Sequence, residues 1–396
     1  MDFPNKQLKT IARLEGTPVF VYSEAVIRRN VRRILGAADR YGLRERIGLY
    51  AAYFCNSNPH LFRIVREEGA GILLQTKEEY VQLQQAGVRG NMTVSPAVLS
   101  DDEIDFWVKQ NIPVNLSSLE EVRYFISHHK EAPLSFRIDL TKEGKQRTAI
   151  KRYQLPAVAP HSFHVYAGTG SSCKKLLKNS REAFKIFQDF FPNVQHINLG
   201  GGFGFDYLAN TADKKHFSWD QYFKGLKTQL EEYKIPKQVK IILEPGRDIF
   251  ADAGRFLLSI KRIIAHRRNS KIATDGSYVY VPSSTIRKRQ HRVHFFGQDF
   301  KEMKVSAKRG FLSGCTTLSS DYVFPGSIAV PEKISAGDFV FIEDMGAYAA
   351  TQHMEFLNKK PCSEVLIKAD GGVVRLTRRG DDNDKIRYLT NQPIQL

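Results

Sequence analysis

The chain has 396 residues, 59 Lys and Arg against 42 Asp and Glu, and a formal net charge of +17. That length supports two domains with proper cores, and the charge is dispersed. The densest basic cluster, Lys261 to Lys271, lacks the interleaved aromatics of a single-strand platform, so nucleic acid is not the expected partner. Four widely spaced cysteines without a CxxC pair argue against a disulfide framework or a zinc site, and no metal is expected. No apolar run approaches ~18 residues and MDFPNKQLKT does not read as a signal peptide, so a cytoplasmic protein without a membrane span is expected.

TPVFVY, from Thr17 to Tyr22, reads as a strand, and Ser23 then caps a helix through Ile27, Val31 and Ile34. Strands and helices alternate for the next stretch of chain. RIGLYAAYF, AGILLQT, MTVSP, PVNLS, SFRIDL, SFHVYAG, HINLGGG and IILEPG are strands; PHLFRIVREEG, KEEYVQLQQAG, SDDEIDFWVKQN and SLEEVRYFISHHK are helices between them. Strict alternation of about eight strands with helices predicts a closed parallel (β/α)8 barrel. Thr141 to Arg147 reads as a mobile polar loop. Phe184, Phe187 and Phe191, at near-helical spacing, are core, and His164 is expected to pack against the barrel wall.

Past about Gly254 the texture changes to VYVPSS, HRVHFF, DFVFIED, SEVLIKA and GVVRLTRR, strands without helices between them. This predicts a C-terminal antiparallel β domain, joined by the TPVFVY strand. The expected division is a barrel over 24–262 and a β domain from 1–23 and 263–396.

The most informative stretch is VQHINLGGGFGF. A short apolar run stops at Gly200, Gly201 and Gly202, which describes a sharp turn with bare N–H groups, a nest suited to an anion such as phosphate. About forty residues later KIILEPGRDIF repeats the pattern with Glu244, Pro245, Gly246 and Arg247 at a strand end.

Together with FCNSNP, AIKRY, HVYAGTG, TDGSY, GCTTLSSD, AGD and GAY, these motifs resemble, in order and over nearly the whole chain, the fold-type III pyridoxal-phosphate-dependent decarboxylases. That family includes diaminopimelate and ornithine decarboxylases and shares an alanine-racemase-like barrel. The resemblance implies a phosphate cup of Gly200, Gly201, Gly202, Gly246 and Arg247, with help from Thr169 and closure by Tyr348 as a hydrogen-bond donor. It puts Glu244 where the family's pyridine-nitrogen partner lies, Tyr166 where its ring-stacking His lies, and Asp275 and Asp321 on the substrate side. It also implies a homodimer, in which Asp321 is delivered to the other subunit.

Three matches depart from the family pattern, and all three concern chemistry. The family's first barrel strand ends in a pattern like YAVKAN, with Lys as the Schiff-base former; AAYFCN puts Phe54 there. Its next strand carries an Asp where ILLQT has Leu73, so a Lys–Asp neighbourhood is replaced by an apolar pair. Its catalytic Cys matches Thr317, with Cys315 two residues away. Neighbouring Arg46 and Arg63 cannot substitute as amine nucleophiles, because guanidinium stays protonated.

The expectation is a decarboxylase-like protein that keeps the phosphate cup but has altered or lost decarboxylation. Its cofactor would be pyridoxal 5'-phosphate held noncovalently, or another phosphate-bearing ligand, met by a small amino-acid-like compound. Residual catalysis would fall to Thr317 and Asp321. The alternatives are an active pyridoxal-phosphate-dependent decarboxylase of siderophore, lysine or polyamine synthesis, and a heterodimer with an active homologue.

Overall fold

The computed structural model describes residues 2–141, 149–155, 158–209, 211–264, 270–323 and 325–386. Most of the polar loop expected at Thr141 to Arg147, and the middle of the basic cluster, lie outside them. Two compact units emerge, one from 27–249 and one from 1–26 with 250–396.

Strand β1 is Val19–Ser23; the strands of the larger unit are β2 Ile47–Ala52, β3 Gly71–Leu74, β4 Met92–Val94, β5 Ser135–Asp139, β6 Ile150–Lys151, β7 Ser162–Val165, β8 His196–Asn198 and β9 Lys240–Leu243. All pairings among β2–β9 are parallel, in the order β4-β3-β2-β9-β8-β7-β5-β6. The segment through residues 114–116 closes the ring: Val114 bridges Val94, and Leu116 bridges Phe136. The result is the eight-staved barrel expected from the alternation. Its helices begin where capping chemistry marks them. Asn58 accepts from the His60 N–H ahead of Pro59–Glu67, and Ser100 and Glu103 form a reciprocal capping box at Asp101–Lys109.

Strand alternation divides the barrel residues into two faces. Leu49, Ala51, Ile72, Phe136, Ile138, Phe163, Val165, Ile197 and Ile241 are buried under the helices. The other face lines the interior, and it is unusually polar for a fold that generally fills this space with branched aliphatics. Asn115 donates to Ser95 Oγ (2.8 Å) and accepts from Ser135 Oγ (2.6 Å). Tyr50 fills the interior towards β3, where a Cβ on Gly71 would come within 2.5 Å of its ring.

The smaller unit adds β10 Gly254–Ile264, β11 Ser270–Thr274, β12 Val293–Phe296, β13 Glu302–Met303, β14 Val305–Ser313, β15 Ile328–Pro331, β16 Phe339–Ile342, β17 Ser363–Ile367 and β18 Val373–Thr377. The strand at Val19–Ser23 pairs with β10 and β17, as the sequence suggested, and not with the barrel. Pairing is antiparallel except for β1 with β17 and β11 with β14. Because β10 pairs with β1, β11 and β16, the barrel unit ends at Ile249, short of the expected 262. VYVPSS is no strand: it holds turns and the short helix Pro282–Ile286, since Pro282 suits a first helical position. The helix Asn5–Glu15 was not anticipated; Leu8 and Ile11 on one side of it join Val19, Val21, Leu257, Phe341 and Val365 in the core of this unit. Among the described residues no helix is long and apolar enough to cross a membrane.

Candidate active site

The C-terminal ends of β8 and β9 build the glycine nest. Gly200 and Gly202 have φ of 70° and 91°, a region that only glycine enters freely. Close approach also excludes a side chain: a Cβ on Gly201 would run into the Glu244 carbonyl oxygen, and one on Gly202 into that of Gly168. The nest is locked by hydrogen bonds from Gly200 N–H to Asn198 Oδ1 (2.9 Å), Glu244 N–H to Gly200 O (2.9 Å) and Ser171 N–H to Gly202 O (2.7 Å).

The second loop is anchored behind the nest. Asp248, wholly buried, accepts from Arg33 Nη2 (2.6 Å), Trp219 Nε1 (2.6 Å) and the Phe217 N–H (3.0 Å), with His216 Nδ1 at 2.9 Å. This fixes the backbone immediately after Arg247, whose guanidinium lies 6.0 Å from the Tyr207 ring centre. Gly246 packs against Ala52 and Cys55, leaving no space for a Cβ. Tyr166 rests against Gly202 and hydrogen-bonds with Thr169; burial raises its phenol pKa, so the ring stays neutral.

Glu244 is 5% exposed and lies at the centre of a side-chain network. Its Oε1 accepts from Asn198 Nδ2 (2.7 Å) and Ser95 Oγ (3.5 Å), and its Oε2 is 3.3 Å from His164 Nε2. Arg137 Nε donates to His164 Nδ1 (3.1 Å), which puts the imidazole proton on Nε2, facing Glu244. Burial pushes the Glu244 pKa up, but His164, Asn198 and Arg137 more than offset this, and the net shift is downward. Burial dominates at His164 and lowers its pKa, so a neutral imidazole sits beside a carboxylate. His164 therefore faces the interior network, where a role as barrel-wall packing had been expected.

Phe54 lies in the single turn Tyr53–Cys55 just past β2, half-buried, and Leu73 is buried on β3 opposite Ala52. Neither residue carries a polar group. An amine lies at a neighbouring loop: exposed Lys175, in the first turn of the helix Cys173–Asp189, has its Nζ 3.3 Å from the Cβ position of Gly168. Sequence reading missed Lys175, Arg137, Asn198 and Ser95. For the last three, period-two alternation from Glu244 and His164 across neighbouring strands was an available signal.

The remaining candidates belong to the smaller unit. Asp275 accepts from Ser259 N–H (2.9 Å), Ser259 Oγ (2.6 Å) and Thr17 Oγ1 (2.5 Å). Asp321, 3% exposed, accepts from Ser277 Oγ (3.0 Å), Tyr278 N–H (3.0 Å) and Thr316 N–H (2.8 Å). Asp275 thereby ties its loop to Thr17 and to β10, and Asp321 ties its own loop to the Ser277–Tyr278 turn, which favours a structural reading of both. Thr317 is exposed, and Tyr348 has a φ of 55° with its carbonyl accepting from Ser283 Oγ (2.7 Å).

The donor set fits one end of a pyridoxal phosphate: a glycine cradle beside an arginine for the phosphate, and a deprotonated, buried glutamate at the strand end next to it. Comparison with known proteins agrees. Residues 147–251 match the model of the pyridoxal-dependent decarboxylase family's pyridoxal-binding domain. The chain is 25% identical to diaminopimelate decarboxylase of Streptomyces coelicolor, over 94% of this chain and 89% of that one. Among solved structures it resembles diaminopimelate decarboxylase of M. jannaschii in complex with L-lysine (TM-score 0.84, 20% identity, 97% and 94% of the two chains covered). It also resembles lysine/ornithine decarboxylase of Vibrio vulnificus in complex with putrescine (TM-score 0.75, 18% identity, 93% and 98% covered). Residues 147–251 thus carry the pyridoxal-binding domain of the pyridoxal-dependent decarboxylases, and the chain as a whole is similar to that fold-type III family, whose cofactor is pyridoxal phosphate.

Proposed function

We propose that this protein holds pyridoxal 5'-phosphate noncovalently and has altered or lost the decarboxylation of its relatives. The observation that carries the reading is the sequence at the end of β2, where Phe54 occupies the turn that the family pattern gives to a lysine. Gly200–Gly202 and the Gly246–Arg247 loop would hold the phosphate, with Thr169 and Tyr166 on the near side. Glu244, kept ionised by its network, would face the ring nitrogen and favour its protonated form. The cofactor, when bound, supplies an electron-withdrawing ring that can accept the electron pair left when a carboxylate departs. The chain's own part would be to bind, to orient and to maintain the charge on Glu244. A small amino-acid-like ligand is the natural second component, given the L-lysine and putrescine in structures of relatives. We also propose a homodimer.

A specific observation favours the alternative of an active decarboxylase: Lys175 puts a primary amine beside the Gly168 loop. The two readings differ on whether any lysine becomes attached to the cofactor. Calorimetric titration with pyridoxal phosphate tests their shared premise. Arg247→Ala removes a charge-assisted hydrogen bond to the phosphate and is expected to weaken binding by about 10- to 100-fold. Unchanged affinity in that variant would mean that the cup lies elsewhere.

A further inference from the structure

At the opposite, amino-terminal mouth of the barrel lies a partly open cavity of about 280 Å³. Its rim is formed by residues at or just before the strand starts: Glu45, Ile47, Pro113, Pro133, His161, His196 and Lys240. Its inner wall is Tyr50, Thr93, Asn115, Ser162 and Asn198, with Ile242. This end of such barrels ordinarily serves stability, and a packed aliphatic plug would be expected. Here several polar groups face the space without a use. Among the described residues, Tyr50 Oη, Ser162 Oγ and the ring nitrogens of His161 and His196 make no hydrogen bond within the protein and are open to whatever fills the cavity.

The two imidazoles meet edge to face, with ring centres 5.1 Å apart. Lys240 stands at the rim, its Nζ donating to the Glu45 carbonyl (2.6 Å) with further N–H donors to spare. Burial, then His161 and Lys240, lower the His196 pKa, and burial lowers that of His161, so both imidazoles are held towards the neutral form, each with one N–H to donate. Ile47, Pro113 and Ile242 give the cavity an apolar side as well.

We infer that the amino-terminal mouth is a second ligand site, which takes a small carboxylate bearing a short alkyl chain between Tyr50, Ser162, His161 and His196. The carboxylate accepts from the hydroxyls and imidazole N–H groups, and the alkyl chain lies on Ile47 and Ile242. Asn115 and Asn198 form the floor, separating this site from Glu244, which Asn198 contacts directly. The assignment is independent of what occupies the glycine cup.

Calorimetric titration of the full chain with pentanoate, pentylammonium and inorganic phosphate tests it. Pentanoate is expected to bind, pentylammonium not, and phosphate more weakly than pentanoate. Tyr50→Phe and Ser162→Ala, which remove one hydroxyl each and keep packing, should each weaken pentanoate about 5- to 10-fold. His196→Phe should do the same or more, while Arg247→Ala at the other end should leave pentanoate binding unchanged. Absence of pentanoate binding would overturn the assignment. So would tighter binding of phosphate, equal binding of pentylammonium, or loss of pentanoate binding in Arg247→Ala with retention in Tyr50→Phe and Ser162→Ala.

Discussion

The strand ends of β8 and β9 and those of β2 and β3 are neighbours on one rim, since β2 pairs with β9. They have different chemical characters. The β8–β9 sector is all backbone and charge: three glycines with no room for Cβ atoms, Arg247, and a glutamate held by three side chains. The β2–β3 sector is apolar, with Phe54 past one strand and Leu73 buried on the next. On the function proposed above, the first sector would hold a phosphorylated ring and the second would offer it no amine to bond with. Polar residues here come in sets: an acid kept without its cationic neighbour in the β2–β3 sector would cost several kcal/mol, about 3–5 by analogy with broken buried ion pairs.

The largest effect should come from converting the second sector. Phe54→Lys is expected to change borohydride-trapped pyridoxyl labelling of this peptide from none to near-stoichiometric, read by peptide mapping. In the unmodified protein no barrel-strand lysine should be labelled. Stoichiometric label on Lys175 or Lys151 would instead establish the active reading and remove the contrast between the sectors. Leu73→Asp alone should lose about 3–5 kcal/mol in urea unfolding, and combination with Phe54→Lys should recover part of that loss. Strict additivity of the two changes would show that these positions do not communicate.

Breaking the first sector should cost less. Gly202→Ala adds a methyl group against the Gly168 carbonyl at a φ of 91°, and is expected to destabilise by about 2–4 kcal/mol. Gly87→Ala, also at positive φ but with open space around it, is the control and should cost about 1 kcal/mol. Equal losses would mean that backbone conformation alone, and not close approach, requires glycine in the cup.

The smallest effect concerns pH. Burial holds the folded-state pKa of His164 below its ordinary value of 6.5, so as pH falls the unfolded chain takes up a proton before the folded one does. Stability from this residue is complete above about pH 6.5 and is lost progressively below it. The depressed pKa of Glu244 adds a second loss below about pH 4.5, in the same direction. His164→Asn should flatten the dependence between pH 6.5 and 5, by at most about 1.4 kcal/mol per pH unit. An unchanged slope would exclude His164 as its source.

Much of the architecture could be read from the chain because its signals are local. Period-two runs, caps at Asn58 and Ser100, and glycines at strand ends act over a few residues, so the barrel staves and the Gly200–Gly202 turn were legible. Resemblance in the order of motifs added the family. Features that depend on what a side chain meets across the fold were not legible. VYVPSS has strand composition, yet Pro282 and the surrounding turns decide otherwise. Asp275 and Asp321 look like site acids in one dimension, and only folding brings Thr17, Ser259, Ser277 and the Thr316 N–H to their oxygens. His164 reads as wall packing until β5 and β9 set Arg137 and Glu244 on either side of it. The cavity at the amino-terminal mouth joins residues from 45 to 242 and has no sequence signature at all. Backbone conformation is settled by near neighbours, whereas protonation and hydrogen-bond partnership are settled by groups far away in the chain, and those only the tertiary structure brings together.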